Sequence, residues 1–590
     1  MTSIRNIFLT MLGINLIAFF FLIFNFSSTK TSAQTQTLSS NKFLKEVEEI
    51  NPINDTLKFD NPLAAFYTLL QLDPLDSNSQ SVLRQLEINK KRPYFGFTSD
   101  DDYCHKHLAH FVANPDFIFK EKNFVMDYGK TMLVRDKVAR KIGNDVHANS
   151  GWHMKPSLKD KLEIDIRPDV NIFFTNGGMH SSRFLGRQFA CLTQIYNHIF
   201  GRDAINRKDK AAESVVEYAK KYQTRPQCFN FDKFFPKTWV LRHEDQCRDF
   251  FENHFNGPNY EKLKKERTIV YIRKIGAGSH QAKGVQPVND EEEQALRKQY
   301  RNGKLCGKIG KSTIVQNYVY NPLLLNGHKF DFRIYLVVGS TNPTMVYYHD
   351  GFLRVSLHPY NVTSNDKSVL LTNTALSSKI FDIAKKQGHY QGLNETELRN
   401  FQMWNFDRLQ NYLLEKKMIN NTKWLDEYLR PEFKKAMIHL VRMAGDKFIK
   451  KSQTYELFGC DFMLDNNLNL WFIECNSGPV LSGSSQEKEL FVTKMLRDQF
   501  EIVFGMLKSR SKRIINFVNS ILRSPETQIL EDGDVVIDDL EKKREIFKNI
   551  TRNYVEPEFE PSEDNGFFKV YDDNLEGTAK YAGLIPEECL

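Results

Sequence analysis

The sequence predicts a mixed α/β fold, of the α+β kind, in which antiparallel strands are prominent, and three observations support this prediction. The stretch 462–473 contains two short apolar runs joined by Asp465-Asn466-Asn467, which is the pattern of a β-hairpin. The stretch 329–336 alternates charged or polar residues with apolar ones, as a half-buried strand does. From Ile164 onward, short β-rich runs alternate with helical runs.

Composition and charge are those of a globular protein. The 590 residues are 41% hydrophobic and 26% charged, and a chain of this length has room for about two to four domains. The net charge of +8 is mild for this length and suits an acidic peptide or a phosphate-bearing cofactor as partner. No zinc-finger or RNP-type motif is present in the sequence, so we expect no nucleic-acid partner.

The eight cysteines are scattered, and no two form a Cys-x-x-Cys pair. This spacing argues against a disulfide scaffold and against a structural zinc site. It favours a reducing compartment.

The N-terminal region contains a run that can cross a bilayer. Residues 7–26 are almost all apolar, and we interpret them as a single membrane anchor, with a cleaved signal peptide as the alternative. The flanking basic residues are too evenly distributed to fix the orientation. Asn-x-Ser/Thr sequons such as Asn361-Val-Thr363 occur at a frequency that chance explains, so they leave the side of the membrane open.

The hairpin near residue 465 predicts a metal site. If its loop is Asn466-Asn467, then Asp461 lies opposite Phe472, and Glu474 follows one diagonal step further along. Asp461, Glu474 and Asn476 then converge at one end, and three oxygen-bearing side chains suit Mg²⁺. A slip of one residue would turn Glu474 to the other face, and an ordinary hairpin with charged ends is the alternative.

A second motif carries lysines into a loop of small residues. The β-rich run 268–274 delivers Lys274 into a loop that continues through Lys283 to Gly284. Such a loop can lay backbone N–H groups over phosphates, with lysine as a point charge. The helix start of a Walker A loop is missing, and a flexible hairpin loop is the alternative.

A third motif is a charged strand face. The turn signal Asn326-Gly327 precedes a strand whose one face carries Lys329, Asp331 and Arg333. A further hairpin, with its turn at Asp350-Gly351, would place Arg354 on a neighbouring strand. Lysine and arginine clustered with carboxylates suit phosphate and Mg²⁺, whereas a solvated strand face is the alternative.

Together, and in this order along residues 165–505, the motifs resemble the tubulin–tyrosine ligase-like family of ATP-grasp carboxylate–amine ligases. The matching segments are Asn197-His-Ile-Phe-Gly201, Arg207-Lys-Asp209, Phe235-Pro-Lys-Thr-Trp239, Ile314-Val-Gln316, Lys329-Phe-Asp331-Phe-Arg333, Gly351-Phe-Leu-Arg354, Leu371-Thr-Asn373, Phe458-Gly-Cys-Asp461 and Glu474-Cys-Asn476-Ser-Gly-Pro479. The chain departs from the family pattern at Ile275, where proline is usual, in a loop one residue longer, and at Cys475, where valine is usual.

The resemblance implies an ATP-grasp fold, with antiparallel-sheet central and C-terminal subdomains preceded by a small α/β N-terminal domain. It also implies three groups of site residues. Lys274 and Lys283 would contact the ATP phosphates, and Gln316 and Tyr318 would border the adenine. Lys329, Asp331, Arg333, Arg354 and Asn373 would surround the γ-phosphate and the acceptor carboxylate, and Asp461, Glu474 and Asn476 would hold Mg²⁺.

We expect five segments along the chain. They are an anchor or signal peptide with linker (1–34), a mostly helical region of unknown role (35–163), a small α/β domain (164–266), the ATP-grasp catalytic domain (267–508), and a basic helix with an acidic, partly disordered tail (509–590).

The function that the resemblance implies is ATP-dependent ligation of an amino acid, glutamate first, to glutamate side chains of an acidic protein tail, tubulin first, through an acyl phosphate. The alternatives are a ligase for a non-tubulin or small-molecule substrate, and a membrane-tethered nucleotide-binding pseudoenzyme. We expect a catalytic domain in the cytoplasm, at the cilium or cytoskeleton, anchored by the N-terminal segment. If the domain instead faces a secretory lumen, tubulin cannot be its substrate.

Overall fold

The computed structural model describes residues 122–128, 152–154, 172–176, 195–276, 284–310, 312–372, 401–450, 454–481, 486–522, 528–529, 535–536 and 560–590. The apolar run 7–26, Lys283 and Asn373 lie outside these residues. Within them, no helix combines the length and the apolar character needed to cross a membrane.

The helices, numbered in chain order, are α1 Asp203–Asn206, α2 Lys208–Lys220, α3 Glu244–Asp249, α4 Pro258–Glu266, α5 Asp290–Tyr300, α6 Lys367–Leu370, α7 Phe406–Glu415, α8 Arg430–Ala444 and α9 Gln486–Leu522. The strands are β1 Lys122–Tyr128, β2 Trp152–Met154, β3 Ile172–Asn176, β4 Ile195–Asn197, β5 Thr238–Val240, β6 Tyr271–Ile275, β7 Val285–Pro287, β8 Thr313–Asn317, β9 Leu324–Leu325, β10 His328–Thr341, β11 Thr344–Pro359, β12 Met403–Trp404, β13 Thr454–Leu464, β14 Leu470–Asn476, β15 Gln528–Ile529, β16 Val535–Val536 and β17 Phe567–Asp572.

The largest sheet has eleven strands, in the order β12-β11-β10-β13-β4-β3-β1-β2, with β14 beside β13, β17 beside β11 and β9 beside β10. Strands β10, β11, β13 and β14 pair antiparallel, whereas β4, β3, β1 and β2 continue the sheet in parallel. The mixed α/β fold with prominent antiparallel strands is therefore confirmed. Two of the parallel strands, β1 and β2, lie in the region that the sequence predicts to be mostly helical.

A second, four-stranded antiparallel sheet has the order β5-β8-β6-β7. Its core is rich in buried aromatic side chains, including Trp239, Phe250, Phe255, Tyr271 and Tyr300. These rings come from the sheet itself, from α5 and from the π-helical turn Phe250–Phe255 that follows α3. The small sheet thus has a core of its own and forms a second wall beside the large sheet.

The long strands β10 and β11 form the centre of the large sheet, and the alternation of β10 explains how they pack. Phe330, Phe332 and Ile334 belong to the main hydrophobic core, together with Phe433 and Met437 of α8. The intervening residues of β10 therefore point to the opposite face of the sheet.

The two turn signals near these strands have different outcomes. The turn at Asn326-Gly327 is confirmed, since both residues have positive φ (49° and 82°) and Leu325 pairs with His328. The turn at Asp350-Gly351 is wrong, because β11 is continuous and its register shifts there. A Cβ atom on Gly351 would lie 1.5 Å from the carbonyl oxygen of Arg333, so the glycine serves a close backbone approach at a β-bulge.

The prediction that the cysteines do not form a disulfide scaffold is also wrong. The six described cysteines form three disulfides: Cys228–Cys589, Cys247–Cys306 and Cys460–Cys475. The first two pairs are separated by 361 and 59 residues, so short-range spacing carries no sign of them.

The sheets run across the segment boundaries that we expect from the sequence. Strand β5 of the segment 164–266 pairs with β8 of the segment 267–508. In the segment 509–590, where we expect a partly disordered tail, β17 pairs with β11 and Cys589 is joined to Cys228. Residues 560–590 are therefore part of the folded structure around the catalytic segment.

Candidate active site

The hairpin of β13 and β14 brings two carboxylates face to face. Asp461 lies opposite Glu474, and Phe462 lies opposite Phe472. The predicted register, with Asp461 opposite Phe472, is therefore wrong by one residue. A β-bulge between Asp461 and Phe462 shifts the pairing once more and returns Glu474 to the position facing Asp461. The two carboxylates share a face because of this bulge.

Asp461 belongs to a network of four charged side chains on three adjacent strands. The guanidinium group of Arg333 donates to its carboxylate from Nε at 2.6 Å and from Nη2 at 3.2 Å. Arg354 donates to Asp331 over 2.6 and 2.7 Å, and its Nη2 lies 2.8 Å from Asp461. The two arginines are therefore held in fixed positions by two carboxylates.

This network is buried, which excludes the solvated strand face. Asp331, Arg333, Arg354 and Asp461 are only 7%, 8%, 9% and 6% exposed. Burying charges in this way is tolerable only when each charge is paired. Burial raises the pKa of Asp331, although Arg354 acts in the opposite direction and the hydroxyl group of Thr372 also donates to this carboxylate.

Two lysines border the network. Lys274 of β6 donates to the side-chain oxygen of Gln316 at 2.6 Å, and Lys329 donates to the Tyr318 hydroxyl and the Leu370 carbonyl, each at 3.0 Å. These hydrogen-bond acceptors are all neutral. Burial lowers the pKa of Lys274 to about 8 and that of Lys329 to about 7. An anion bound beside these amines would restore their charge.

Glu474 is a carboxylate at neutral pH. Burial acts to raise its pKa, but Lys208 and Lys274 outweigh burial and lower the pKa to about 2. The Lys208 ammonium group lies 3.2 Å from its Oε2, and the amide of Asn476 is 3.4 Å from its Oε1. Glu474 and Asn476 thus offer neighbouring oxygen-bearing groups at the edge of the network.

The sequence reasoning assigned no role to Lys208, Asn206 or Thr372. Asn206 donates to the hydroxyl oxygen of Ser477 at 2.6 Å, while its own Oδ1 is buried and has no hydrogen-bond partner among the described residues. Lys208 lies within the family-like segment 207–209 and Asn206 directly precedes it, and this segment is the one sequence signal that could have suggested them.

A small cavity lies between the two sheets, where β6 and β8 of the small sheet approach β14 of the large sheet. Its wall includes Asn206, Lys208, Lys274, Gln316 and Glu474. An apolar cluster of Ile269, Ile272, Tyr318 and Leu370 lies next to Lys329. Buried charged side chains therefore lie near an apolar surface, and a nucleotide contacts surfaces of both kinds. Gln316 and Tyr318 lie at the positions where this apolar cluster and the lysines meet.

The residues present fit ATP and Mg²⁺ on chemical grounds. Five basic side chains (Lys208, Lys274, Lys329, Arg333 and Arg354) accompany three carboxylates, which leaves a positive excess for phosphate groups when the lysines are protonated. No group of three or more His, Cys, Asp or Glu side chains in the described part of the chain is arranged to hold a metal by itself. Mg²⁺ commonly binds through one or two carboxylates and completes its shell with water and substrate phosphates, and the unpartnered Oδ1 of Asn206 is a further oxygen donor.

The two sheets and the charged cluster beside them form an α+β fold of the ATP-grasp-like class. The family model described as "Tubulin-tyrosine ligase family" matches residues 188–513, more than half of the chain. The chain belongs to the tubulin-tyrosine ligase family. The family and the ATP-grasp fold that the motifs indicate are thereby confirmed, whereas the roles of the individual site residues remain predictions.

The chain is also similar to curated glycylases. Protein polyglycylase TTLL10 of Rattus norvegicus is 29% identical over 273 residues, which are 44% of this chain and 36% of the relative. Inactive polyglycylase TTLL10 of Homo sapiens is 29% identical over 290 residues, 46% of this chain and 39% of the relative. Tubulin monoglycylase TTLL3 of Mus musculus is 27% identical over 267 residues, 45% of this chain and 27% of the relative. The chain therefore spans well under half the length of these relatives.

Proposed function

We propose that this chain is an ATP-dependent ligase that joins an amino acid, glycine first, to glutamate side chains of an acidic protein tail. The observation that carries this proposal is the pair of buried lysines. Their hydrogen-bond acceptors are neutral and burial lowers the pKa of each amine, so a bound phosphate group would keep both amines protonated. Glycine replaces the glutamate of our sequence-based expectation because the relatives are named polyglycylases and glycylases.

In this proposal the reaction has two steps. A carboxylate of the acceptor attacks the γ-phosphate of ATP and forms an acyl phosphate, with ADP as leaving group. The amino group of glycine then displaces phosphate and leaves an amide bond. Neither step needs a side-chain nucleophile, so the residues act by positioning and by neutralising charge.

The side chains divide this work according to their positions. Lys274 and Lys329 neutralise the phosphates, and binding keeps both amines protonated. Arg333 and Arg354, fixed by Asp461 and Asp331, hold the acceptor carboxylate and the oxyanion that develops on it. Mg²⁺, when bound by Glu474, Asn476 and Asp461, would supply further charge neutralisation at the transferred phosphoryl group.

Roles for Lys283 at the phosphates and Asn373 at the acceptor carboxylate remain part of the proposal. Both residues lie outside the described residues, and their roles follow from the family resemblance alone. The acceptor is proposed as an acidic tail because the site and the chain carry a positive excess. Relatives named tubulin glycylase and tubulin monoglycylase favour tubulin as the first acceptor to test.

The test is incorporation of labelled glycine, glutamate and tyrosine by the intact chain with ATP and Mg²⁺, using a glutamate-rich peptide and microtubules as acceptors. We expect glycine incorporation, lowered by roughly 100- to 1,000-fold in Glu474→Gln, because a charge that stabilises the transferred phosphoryl group is removed. The matched control is Glu415→Gln, whose side chain at the end of α7 is 72% exposed.

One relative is named inactive, which favours a specific second candidate, a nucleotide-binding pseudoenzyme. ATP binding with no incorporation of any of the three amino acids into either acceptor would establish that candidate over the ligase. Incorporation of glutamate rather than glycine would correct the donor and keep the ligase.

A further inference from the structure

The disulfides carry information about where this domain works. All six described cysteines are paired and each is at most 6% exposed. Structural disulfides of this kind persist in oxidising compartments and are rare where glutathione keeps thiols reduced. A buried, fully paired set differs from the transient, exposed pairs that serve in cytosolic redox chemistry.

Two of the disulfides join segments that are distant in sequence. Cys228 follows α2, and Cys589 is the penultimate residue of the chain, yet their Cα atoms are 5.3 Å apart. The same contact is supported by Arg225 and Arg442, which donate to the carbonyl groups of Glu588 and Cys589 over 2.8 and 3.0 Å. Cys247 of α3 meets Cys306 with Cα atoms 5.6 Å apart, inside the aromatic core of the small sheet.

The third disulfide joins the two strands that carry the carboxylates of the candidate site, and both of its cysteines belong to the main hydrophobic core. Cys460 and Cys475 are direct neighbours across β13 and β14, each one residue from a facing carboxylate, Asp461 or Glu474. The departure at Cys475, where the family usually has valine, is therefore matched by a partner cysteine on the opposite strand. A paired substitution of this kind is expected where disulfides form readily.

The surface carries acceptor positions for the glycosylation that a luminal domain can receive. Two Asn-x-Ser/Thr sequons lie in the described region, Asn361-Val-Thr363 and Asn420-Asn-Thr422, and both acceptor asparagines are exposed. Asn361 lies in the turn after β11, and Asn420 lies in the loop after α7. Exposed loops are the places where luminal glycosylation occurs. The apolar run 7–26, outside the described residues, is predicted from sequence to be an anchor or signal peptide, and either would bring the chain to the membrane of this pathway.

We infer that the catalytic domain matures and works on the luminal side of the secretory pathway, and that its acceptor is an acidic protein segment exposed there rather than cytosolic tubulin. The part that concerns the acceptor rests on the proposed ligase function. Each disulfide forms when two thiols lose two protons and two electrons to a disulfide-type oxidant of that compartment. Asn361 and Asn420 are assigned as N-glycosylation sites.

The thiol and glycan state of the intact chain tests the compartment without any activity. The chain is expressed in eukaryotic cells, free thiols are blocked with N-ethylmaleimide at lysis, and peptides are compared by mass before and after reduction. We expect the peptides of Cys228 and Cys589, and of Cys247 and Cys306, to be linked until reduction. Alkylation of these four cysteines without reduction overturns the inference.

Glycosidase treatment supplies the second measurement. We expect a shift in mobility that loses one step in Asn361→Gln and a second step in Asn361→Gln with Asn420→Gln. Glycan-free asparagines at both sites would overturn the luminal placement.

The acceptor is tested with two matched reporters that carry the same glutamate-rich tail, one directed to the secretory pathway and one retained in the cytosol. Co-expression with labelled glycine should label the luminal reporter only, and labelling of the cytosolic reporter alone overturns this part. If the purified chain labels no acceptor in vitro while its disulfides and glycans are present, the proposed ligase function fails and the compartment stands.

Discussion

Strand β13 carries two buried ionic networks, and their difference separates structure from function. Glu456, 1% exposed, is bonded to His198 at 2.7 Å, to Arg202 at 3.1 Å and to the backbone N–H of Ile199 at 3.0 Å. These contacts attach the segment after β4 to the centre of the large sheet. The network of Asp461, five residues later, adjoins lysines whose hydrogen-bond acceptors are neutral.

The comparison teaches that burial and pairing alone do not identify a site. The Glu456 carboxylate accepts hydrogen bonds at both of its oxygens. Burial acts to raise the pKa of Glu456, but His198 and Arg202 outweigh burial and lower this pKa. Around Asp461 the cations outnumber the carboxylates, and the buried Oδ1 of Asn206 has no partner among the described residues. A positive excess together with an unused oxygen indicates a place for a ligand.

The largest expected effect is a loss of stability when the network around Glu456 is disrupted. Glu456→Gln should lower the free energy of unfolding by about 3 kcal/mol, because one partner of a buried ion pair is removed. The ATP affinity of the folded protein should stay unchanged. Urea denaturation and nucleotide titration measure the two quantities, with Glu217→Gln, a 69% exposed surface carboxylate, as control.

This effect should depend on pH with a defined sign. The pKa of Glu456 is lowered from its ordinary value of 4.5 in the folded chain, so its contribution is present above about pH 4.5 and is lost as the pH falls through the lower folded value. The difference between wild type and Glu456→Gln should therefore shrink in acid. A difference that grows on acidification would contradict the assignment.

Lys274→Met should weaken ATP binding without loss of stability, which is the reverse of the result expected for Glu456→Gln. Loss of a charge-assisted contact with phosphate should weaken ATP binding by roughly 10- to 100-fold. Thermal stability should be equal or higher, because a buried amine with a lowered pKa is replaced by an apolar side chain of similar length. Lys416→Met, on the exposed end of α7, is the control. Loss of stability with ATP affinity retained would make Lys274 a structural residue like Glu456.

Proton uptake on ATP binding is a further property that should distinguish the candidate site from the network of Glu456. At pH 8 Lys329, with its pKa lowered by burial to about 7, is mostly neutral in the free chain, and a phosphate group beside it raises that pKa. ATP binding at pH 8 should therefore take up as much as about one proton. Calorimetry in two buffers of different ionisation heat measures this uptake. Lys329→Arg, which stays charged, should reduce it, and equal heats for wild type in both buffers would refute the prediction.

The smallest effect is expected at Asn206→Ala. Its Oδ1 has no partner to lose within the described residues, and the loss of the hydrogen bond from its Nδ2 to Ser477 should lower the free energy of unfolding by only about 1 kcal/mol. If that oxygen serves the ligand, the affinity for ATP with Mg²⁺ should fall about 5-fold, the value of one hydrogen bond. An unchanged affinity in a titration with and without Mg²⁺ would remove Asn206 from the site.

Sequence patterns predict the strands of this site better than their pairing. The alternation along β10 identifies the face that carries Asp331 and Arg333, because side-chain period is a local property. The bulges at Asp461 and at Gly351 depend on contacts with a neighbouring strand, so neither the true register nor the continuity of β11 could be seen in the sequence. Two of the disulfide pairs and the contact of Lys208 with Glu474 join distant segments and were missed for the same reason.

The family resemblance indicated the fold and the ligase class, but it did not determine the donor amino acid. The relatives favour glycine through their names, whereas the side chains that we propose to hold phosphate would serve any amine donor. The selectivity for the donor must come from residues that contact the amino acid itself, and the motifs that carry the resemblance do not include them.

The link between Cys228 and Cys589 closes a covalent ring that contains every strand from β5 to β17. A protease that cuts this ring once leaves both new ends attached to the same molecule. The nicked protein would therefore migrate as one particle under non-reducing conditions and retain the strand order around the cavity. A catalytic domain built in this way is suited to surroundings where extracellular proteases are present and cytosolic chaperones are absent.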